Sequence, residues 1–152
     1  LSGIDKNMEI LVSNLQDKIK LSRKWVKDIA SRILKKAGAD GELSIVLVDN
    51  RYIRRLNRKY RHKDRVTDVL SFPLVKRGQA TFSKKAGYKK RGRSYFSDTS
   101  SLLGDVVISV ERARAQAKEY GHSLNEEIFI LIRHGILHLL GYTHRQMENI
   151  PV

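Results

Sequence analysis

The chain has no cysteine among its 152 residues. Disulfides are excluded, and so are thiolate metal sites, so any metal must be held by nitrogen or oxygen ligands. A reducing, cytoplasmic setting fits that absence. No stretch approaches the ~20 consecutive apolar residues that a membrane-spanning helix requires. The opening residues Leu1 to Asn7 lack a basic head followed by an apolar run, so no secretory signal is read there. Residues 1–7 are expected to be a tag or a disordered arm. Acidic residues are scarce, with 16 Asp and Glu against 30 Lys and Arg, a net charge of +14.

That imbalance attracts polyanions, and its placement points to nucleic acid rather than to solubility alone. Residues 51–65 hold eight Lys and Arg and one acid, Asp64. Residues 76–93 hold eight more and no acid. More than half of the basic side chains therefore fall in two short segments.

The apolar pattern divides the rest into elements. Met8–Leu15 alternates as a strand, with Met8, Ile10 and Val12 on one side. Leu21–Lys36 has a helical stripe of Trp25, Val26, Ile29, Ile33 and Leu34, with Ser22 able to cap it and Gly38 stopping it. Glu42–Val48 reads as a second strand. A helix over about residues 50–60 follows, capped by Asp49 or Asn50, with Ile53 and Leu56 inward and arginines outward. Thr67–Phe72 is a third strand closed by Pro73, which cannot donate to a ladder and places this strand at a sheet edge. Leu103–Ser109 is a fourth strand, and Val110–Tyr120 a helix ended by Gly121. Residues 74–101 form a long basic insertion with no firm period, either a binding loop or a hairpin. These elements predict one α+β domain over residues 1–152, a small mixed four-stranded sheet packed with helices.

The last helix carries the chemistry. Ser123-Leu-Asn-Glu126 is a capping box. From Ile128 to Leu140 nearly every position is apolar, which predicts a central helix. Gly141 ends it. His134 and His138 are four apart, so their side chains share one face, one turn apart, and two imidazoles can reach a single ion. His144 lies beyond the Gly141 turn and can return as a third ligand. Three protein ligands leave a position for water, which marks a catalytic site rather than a structural one. The arrangement is that of a zincin-like metal helix, with one departure. In His-Glu-x-x-His the Glu is the general base, and here that position is Gly135. A metal alone can still lower the pKa of its water to about 7, so hydrolysis remains open, while Gly135 counts against peptide hydrolysis by the zincin route. Three imidazoles also accommodate copper, nickel or iron.

The segment His134-Gly-Ile-Leu-His-Leu-Leu-Gly-Tyr-Thr-His144 closely resembles the signature of the YbeY family, rRNA maturation factors and single-strand endoribonucleases. Leu56-Asn-Arg-Lys-Tyr-Arg-His-Lys-Asp64, Thr67-Asp-Val-Leu-Ser-Phe-Pro73 and Leu103-Gly-Asp-Val-Val-Ile-Ser109 agree in order and spacing. The resemblance runs from about Met8 to Met147. It implies that His134, His138 and His144 bind one Zn2+. It also implies that Arg61 is the functional arginine near the metal, able to hold two phosphate oxygens and stabilise charge on a transferring phosphoryl group. The implied partners are RNA, chiefly rRNA, and the small ribosomal subunit. Thr143 stands where the family usually has Asp before the third histidine. The 74–101 connection is longer and more basic than usual, and the tail after His144 is short.

The resulting expectation is a metal-dependent endoribonuclease in which the basic segments gather RNA. Tyr60, Phe72, Tyr88, Tyr95 and Phe96 are candidates to stack on unpaired bases. Thr67, Asp68, Ser71 and Asp105 read equally well as ordinary hydrogen-bonding residues at strand ends. Two other readings stay open: a non-enzymatic RNA-binding assembly factor with a structural metal, and a metal-dependent hydrolase of another substrate.

Overall fold

Four strands and five helices occur among residues 8–74 and 102–149, the residues described in the computed structural model. In chain order they are β1 (Met8–Asn14), α1 (Arg23–Lys36), β2 (Gly41–Val48), α2 (Asn50–Arg61), β3 (Val69–Pro73), β4 (Leu102–Ser109), α3 (Val110–Tyr120), α4 (Leu124–Leu139) and α5 (His144–Met147). The sheet runs β1-β2-β4-β3. β1 and β4 both pair with β2 in parallel, and β3 pairs with β4 antiparallel. The mixed four-stranded sheet of a single α+β domain is therefore present. Among the described residues β3 lies at the edge of the sheet, in keeping with Pro73.

Helices cover both sides of the sheet. Ile45, Leu47, Val106 and Ile108 point toward α1 and α4, where they join Val26, Ile29, Leu34, Ile128 and Ile132 in the larger core. Val46, Val48, Leu70, Phe72 and Val107 point the other way and meet Ile53, Leu56 and Tyr60 of α2. β2 lies inside the sheet with both faces covered, which is why every one of its residues is buried and why its end, Ile45 to Val48, is continuously apolar. Burial of each large aliphatic side chain contributes about 1.5–3 kcal/mol relative to leaving it exposed.

Local rules set the boundaries. Ser22, Asp49, Ser109 and Ser123 each cap a helix by accepting a backbone N–H with the side chain. The Ser123–Glu126 capping box is complete. β3 starts at Val69 rather than Thr67, because Asp68 turns inward. Its carboxylate accepts the Val69 N–H at 2.7 Å and its carbonyl accepts the Ser109 N–H at 2.9 Å. Leu74, assigned to the insertion by its sequence, instead extends the β3–β4 ladder with a 3.1 Å bond to the Leu103 carbonyl. The rest of that insertion, and residues 1–7, lie outside the described residues.

Candidate active site

The nearly continuous apolar run of α4 predicts a helix covered all round, and the structure departs from that: one side of the helix is open. Glu127, Ile128, Leu131, Ile132, Gly135, Ile136 and Leu137 are buried. Ile130 is 46% exposed and His134 and His138 are half-buried. Residues 130, 134 and 138 follow the i, i+4, i+8 spacing of one stripe. The open side of the helix is thus the side that presents both histidines. Their rings lie 4.6 Å apart between centroids at an interplanar angle of 71°.

Gly135 lies about 100° round the helix from His134, on the side that packs against the sheet, where no side chain fits. A Cβ at Gly135 would sit 2.6 Å from Cγ1 of Val106 and 3.3 Å from Oγ of Ser71. The helix lies directly on β3 and β4 at this point. Any side chain there would collide with Val106 from its Cβ onward.

The end of α4 fixes the chain reversal. Gly141 has φ +93°, the Gly141 N–H bonds the His138 carbonyl at 3.0 Å, and the Tyr142 N–H bonds the Leu137 carbonyl at 3.0 Å. That is a Schellman closure. The next residues form a second capping box. Thr143 Oγ1 accepts the Gln146 N–H at 3.2 Å, and Gln146 Oε1 accepts the Thr143 N–H at 2.8 Å. Thr143 is thus the cap of α5, and His144 is that helix's first residue. α5 is tied back to α4 by buried Met147 and by Arg133, which donates to the Met147 carbonyl at 3.2 Å. The His144 side chain lies outside the described atoms. Among the described residues no three metal-binding side chains come together.

Arg61 ends α2. Its Nη2 donates to the Ser71 carbonyl at 2.7 Å, and its guanidinium carbon lies 5.3 Å from the Phe72 ring centroid. Ser71 Oγ in turn donates to the Gly135 carbonyl at 3.3 Å. One residue of β3 therefore joins Arg61 to the histidine helix. Phe72 is 3% exposed and packs edge-on against Tyr60 with centroids 5.6 Å apart. It is core, and stacking on a base is excluded for it. Tyr88, Tyr95 and Phe96 lie outside the described residues.

The turn after Arg61 depends on Asn57, which was not singled out from its sequence position. Asn57 is buried, donates from Nδ2 to the Arg65 carbonyl at 3.0 Å, and accepts the His62 and Lys63 N–H groups on its own carbonyl. His62 takes a left-handed conformation, φ 60°, at a cost of about 1 kcal/mol for a non-glycine residue. The available signal was a polar residue one turn after inward-facing Ile53. The same turn sets Asp64 beside α2, where hydrogen bonding from Arg54, helped by the charges of Arg54 and Arg58, holds its carboxyl below the usual value.

Asp68 and Asp105 do not join the histidines. Asp68 accepts from Nε2 of Gln116 at 3.1 Å, and the same nitrogen reaches Glu127 at 2.9 Å. That network anchors the start of α4 to the start of β3. Asp105 pairs in register with Phe72 and is buried on the α2 side of the sheet.

A family profile described as Endoribonuclease YbeY matches residues 11–150. The chain belongs to the YbeY family. The Endoribonuclease YbeY of Carboxydothermus hydrogenoformans is 43% identical over 144 residues, covering 93% of this chain and 87% of that one. The Endoribonuclease YbeY of Clostridium kluyveri is 41% identical over 143 residues, covering 90% and 87%. The solution structure of TM1509 from Thermotoga maritima aligns with a TM-score of 0.55 at 27% identity, covering 89% of this chain and 74% of that one. Among the described residues, no helix is long and apolar enough to cross a membrane.

Proposed function

We propose that this chain is a zinc-dependent endoribonuclease that cuts single-stranded RNA in rRNA maturation and ribosome quality control, in the cytoplasm and in association with the small ribosomal subunit. The observation that carries the reading is the link Arg61–Ser71–Gly135, which ties a guanidinium to the helix whose open side presents His134 and His138. Family membership supports RNA as the substrate, and a net charge of +14 supports a polyanion.

The donor set fits zinc. His134 and His138 supply imidazole nitrogens from one helix stripe, His144 is the first residue of the capped helix after the chain reversal, and no thiolate competes. These three histidines would hold the ion, with water completing its coordination. When bound, the ion supplies Lewis acidity toward water and phosphate oxygens.

The protein's own residues position the substrate. One Arg61 donor is used on Ser71, which fixes the plane of a group that carries five. The remaining donors can take two oxygens of the scissile phosphate and offset charge that develops on them. Burial of Gly135 against Val106 leaves the position after His134 without a base, so proton removal from water is not assigned to a side chain there. The basic residues of α2 and of 76–93 raise the local concentration of RNA.

The test compares wild type, His138→Ala and Arg61→Glu on single-stranded RNA and on rRNA, with and without chelator. Loss of cleavage in both variants, and in wild type under chelation, is the expected result. Undiminished cleavage by His138→Ala, or in the presence of chelator, would overturn it.

A further inference from the structure

α2 carries arginines at positions 54, 58 and 61. Their i, i+4, i+7 spacing places them on one side of the helix. At 1.5 Å per residue the stripe is about 10 Å long, roughly three phosphates at the axial spacing of a stacked strand. Its last member is Arg61. Its first two members are bridged by a carboxylate. Asp64 Oδ1 lies 2.9 Å from Arg54 Nε and 3.5 Å from Arg58 Nη1, and all three side chains are more than half exposed. Asp64 is the only acid in residues 51–65. It reaches Arg54, ten residues earlier, because the left-handed His62 and the Asn57–Arg65 bond fold the chain back along the helix.

We propose that Arg54 and Arg58 are a backbone docking track for single-stranded RNA, leading phosphates to Arg61, and that Asp64 occupies the phosphate position until RNA displaces it. The proposal rests on the nuclease reading of the Arg61 site and names how its substrate approaches. Two guanidiniums sharing one carboxylate oxygen form a pocket for a tetrahedral anion that can give each of them an oxygen of its own. An exposed ion pair contributes little to folding, so exchanging its anion is cheap. The depressed Asp64 carboxyl pKa agrees with a filled anion position.

The track sets a weight on each residue that a solvated charged face would not. Asp64→Asn empties the fork and is expected to tighten binding of a short oligouridylate several-fold at low salt. The double variant Arg54→Gln/Arg58→Gln is expected to weaken it and to flatten the plot of log K against log salt by about 1.4, or about 0.7 per lost phosphate contact. In that double background Asp64→Asn is expected to have no effect. Binding is read under chelation, so that cleavage does not intrude, with circular dichroism and Tm confirming the fold of each variant. The Asp64 carboxyl, followed by NMR titration, is expected to rise toward the ordinary carboxylate range when the oligouridylate is bound.

An unchanged salt slope in the arginine double variant would overturn the track and leave the nuclease reading standing if wild type still cleaves. The expected slope change in a wild-type protein that never cleaves would support the track and remove the nuclease reading instead. A larger arginine dependence for polyglutamate than for the oligouridylate would also overturn the proposal, assigning the surface to an acidic peptide.

Discussion

Gly135 and Val106 are packed so closely that a Cβ on the glycine would lie 2.6 Å from Val106 Cγ1. The contact presses α4 onto β4 and turns the stripe of Ile130, His134 and His138 outward. Gly135→Ala overpacks the core and is expected to cost about 1–3 kcal/mol, read as a lower Tm. Adding Val106→Ala should restore part of the loss. If Gly135→Ala melts like wild type, the helix is not held against the sheet in this way.

Arg61→Lys keeps the charge but loses the planar fork. It is expected to lower kcat/KM for RNA cleavage by about 100-fold, the scale of losing one well-placed donor to a developing charge. Bound metal should be unchanged in the same protein. Equal loss of metal and activity would instead make Arg61 a structural residue.

Much of this site can be read in the amino-acid order, and the parts that cannot share a cause. Pro73 marks the edge strand, Ser123 and Glu126 mark the start of α4, and the 134/138 spacing marks a shared face, because each depends on neighbours within one turn or one strand. The open side of α4 is not legible in this way. Ile130 is as apolar as Ile132, yet one is 46% exposed and the other fully buried, a difference set by where α1 and the sheet lie. The Arg61–Ser71 bond and the Gln116 bridge between Asp68 and Glu127 join residues distant in the chain and leave no local pattern. Asn57 shows itself only as a polar residue in an inward position, and its reason appears once the turn over residues 62–65 is seen.

Thr143 closes the capping box of α5, so Thr143→Ala should cost about 1 kcal/mol of local stability. Faster hydrogen exchange at the Met147 amide, which bonds the Thr143 carbonyl at 2.9 Å, is the direct readout. Weaker metal binding should accompany it, since His144 begins the helix that is loosened. Thr143→Asp supplies another capping oxygen and should restore protection. Unaltered exchange in the alanine variant would remove Thr143 from this role.

Glu126 accepts the Ser123 N–H at 2.8 Å, and this backbone hydrogen bond, with that to the Ser123 hydroxyl, holds its carboxyl below the ordinary value of 4.5. A group whose pKa is depressed in the folded state stabilises the fold above its unfolded pKa, and that contribution disappears as pH falls through the folded pKa. Acid unfolding should therefore steepen below about pH 4.5 through this residue. Glu126→Gln keeps a cap without the titration and should flatten that limb of a Tm–pH curve. Superimposable curves for the two proteins would contradict the assignment.

In the proposed function His134, His138 and His144 hold one catalytic zinc beside Arg61. The most direct measurement is zinc content and cleavage of single-stranded RNA on the same preparations of wild type and the three single alanine variants, purified without added nickel. One zinc per wild-type chain is expected, with metal and cleavage falling together in each variant. Full cleavage by a variant that has lost its zinc would contradict it.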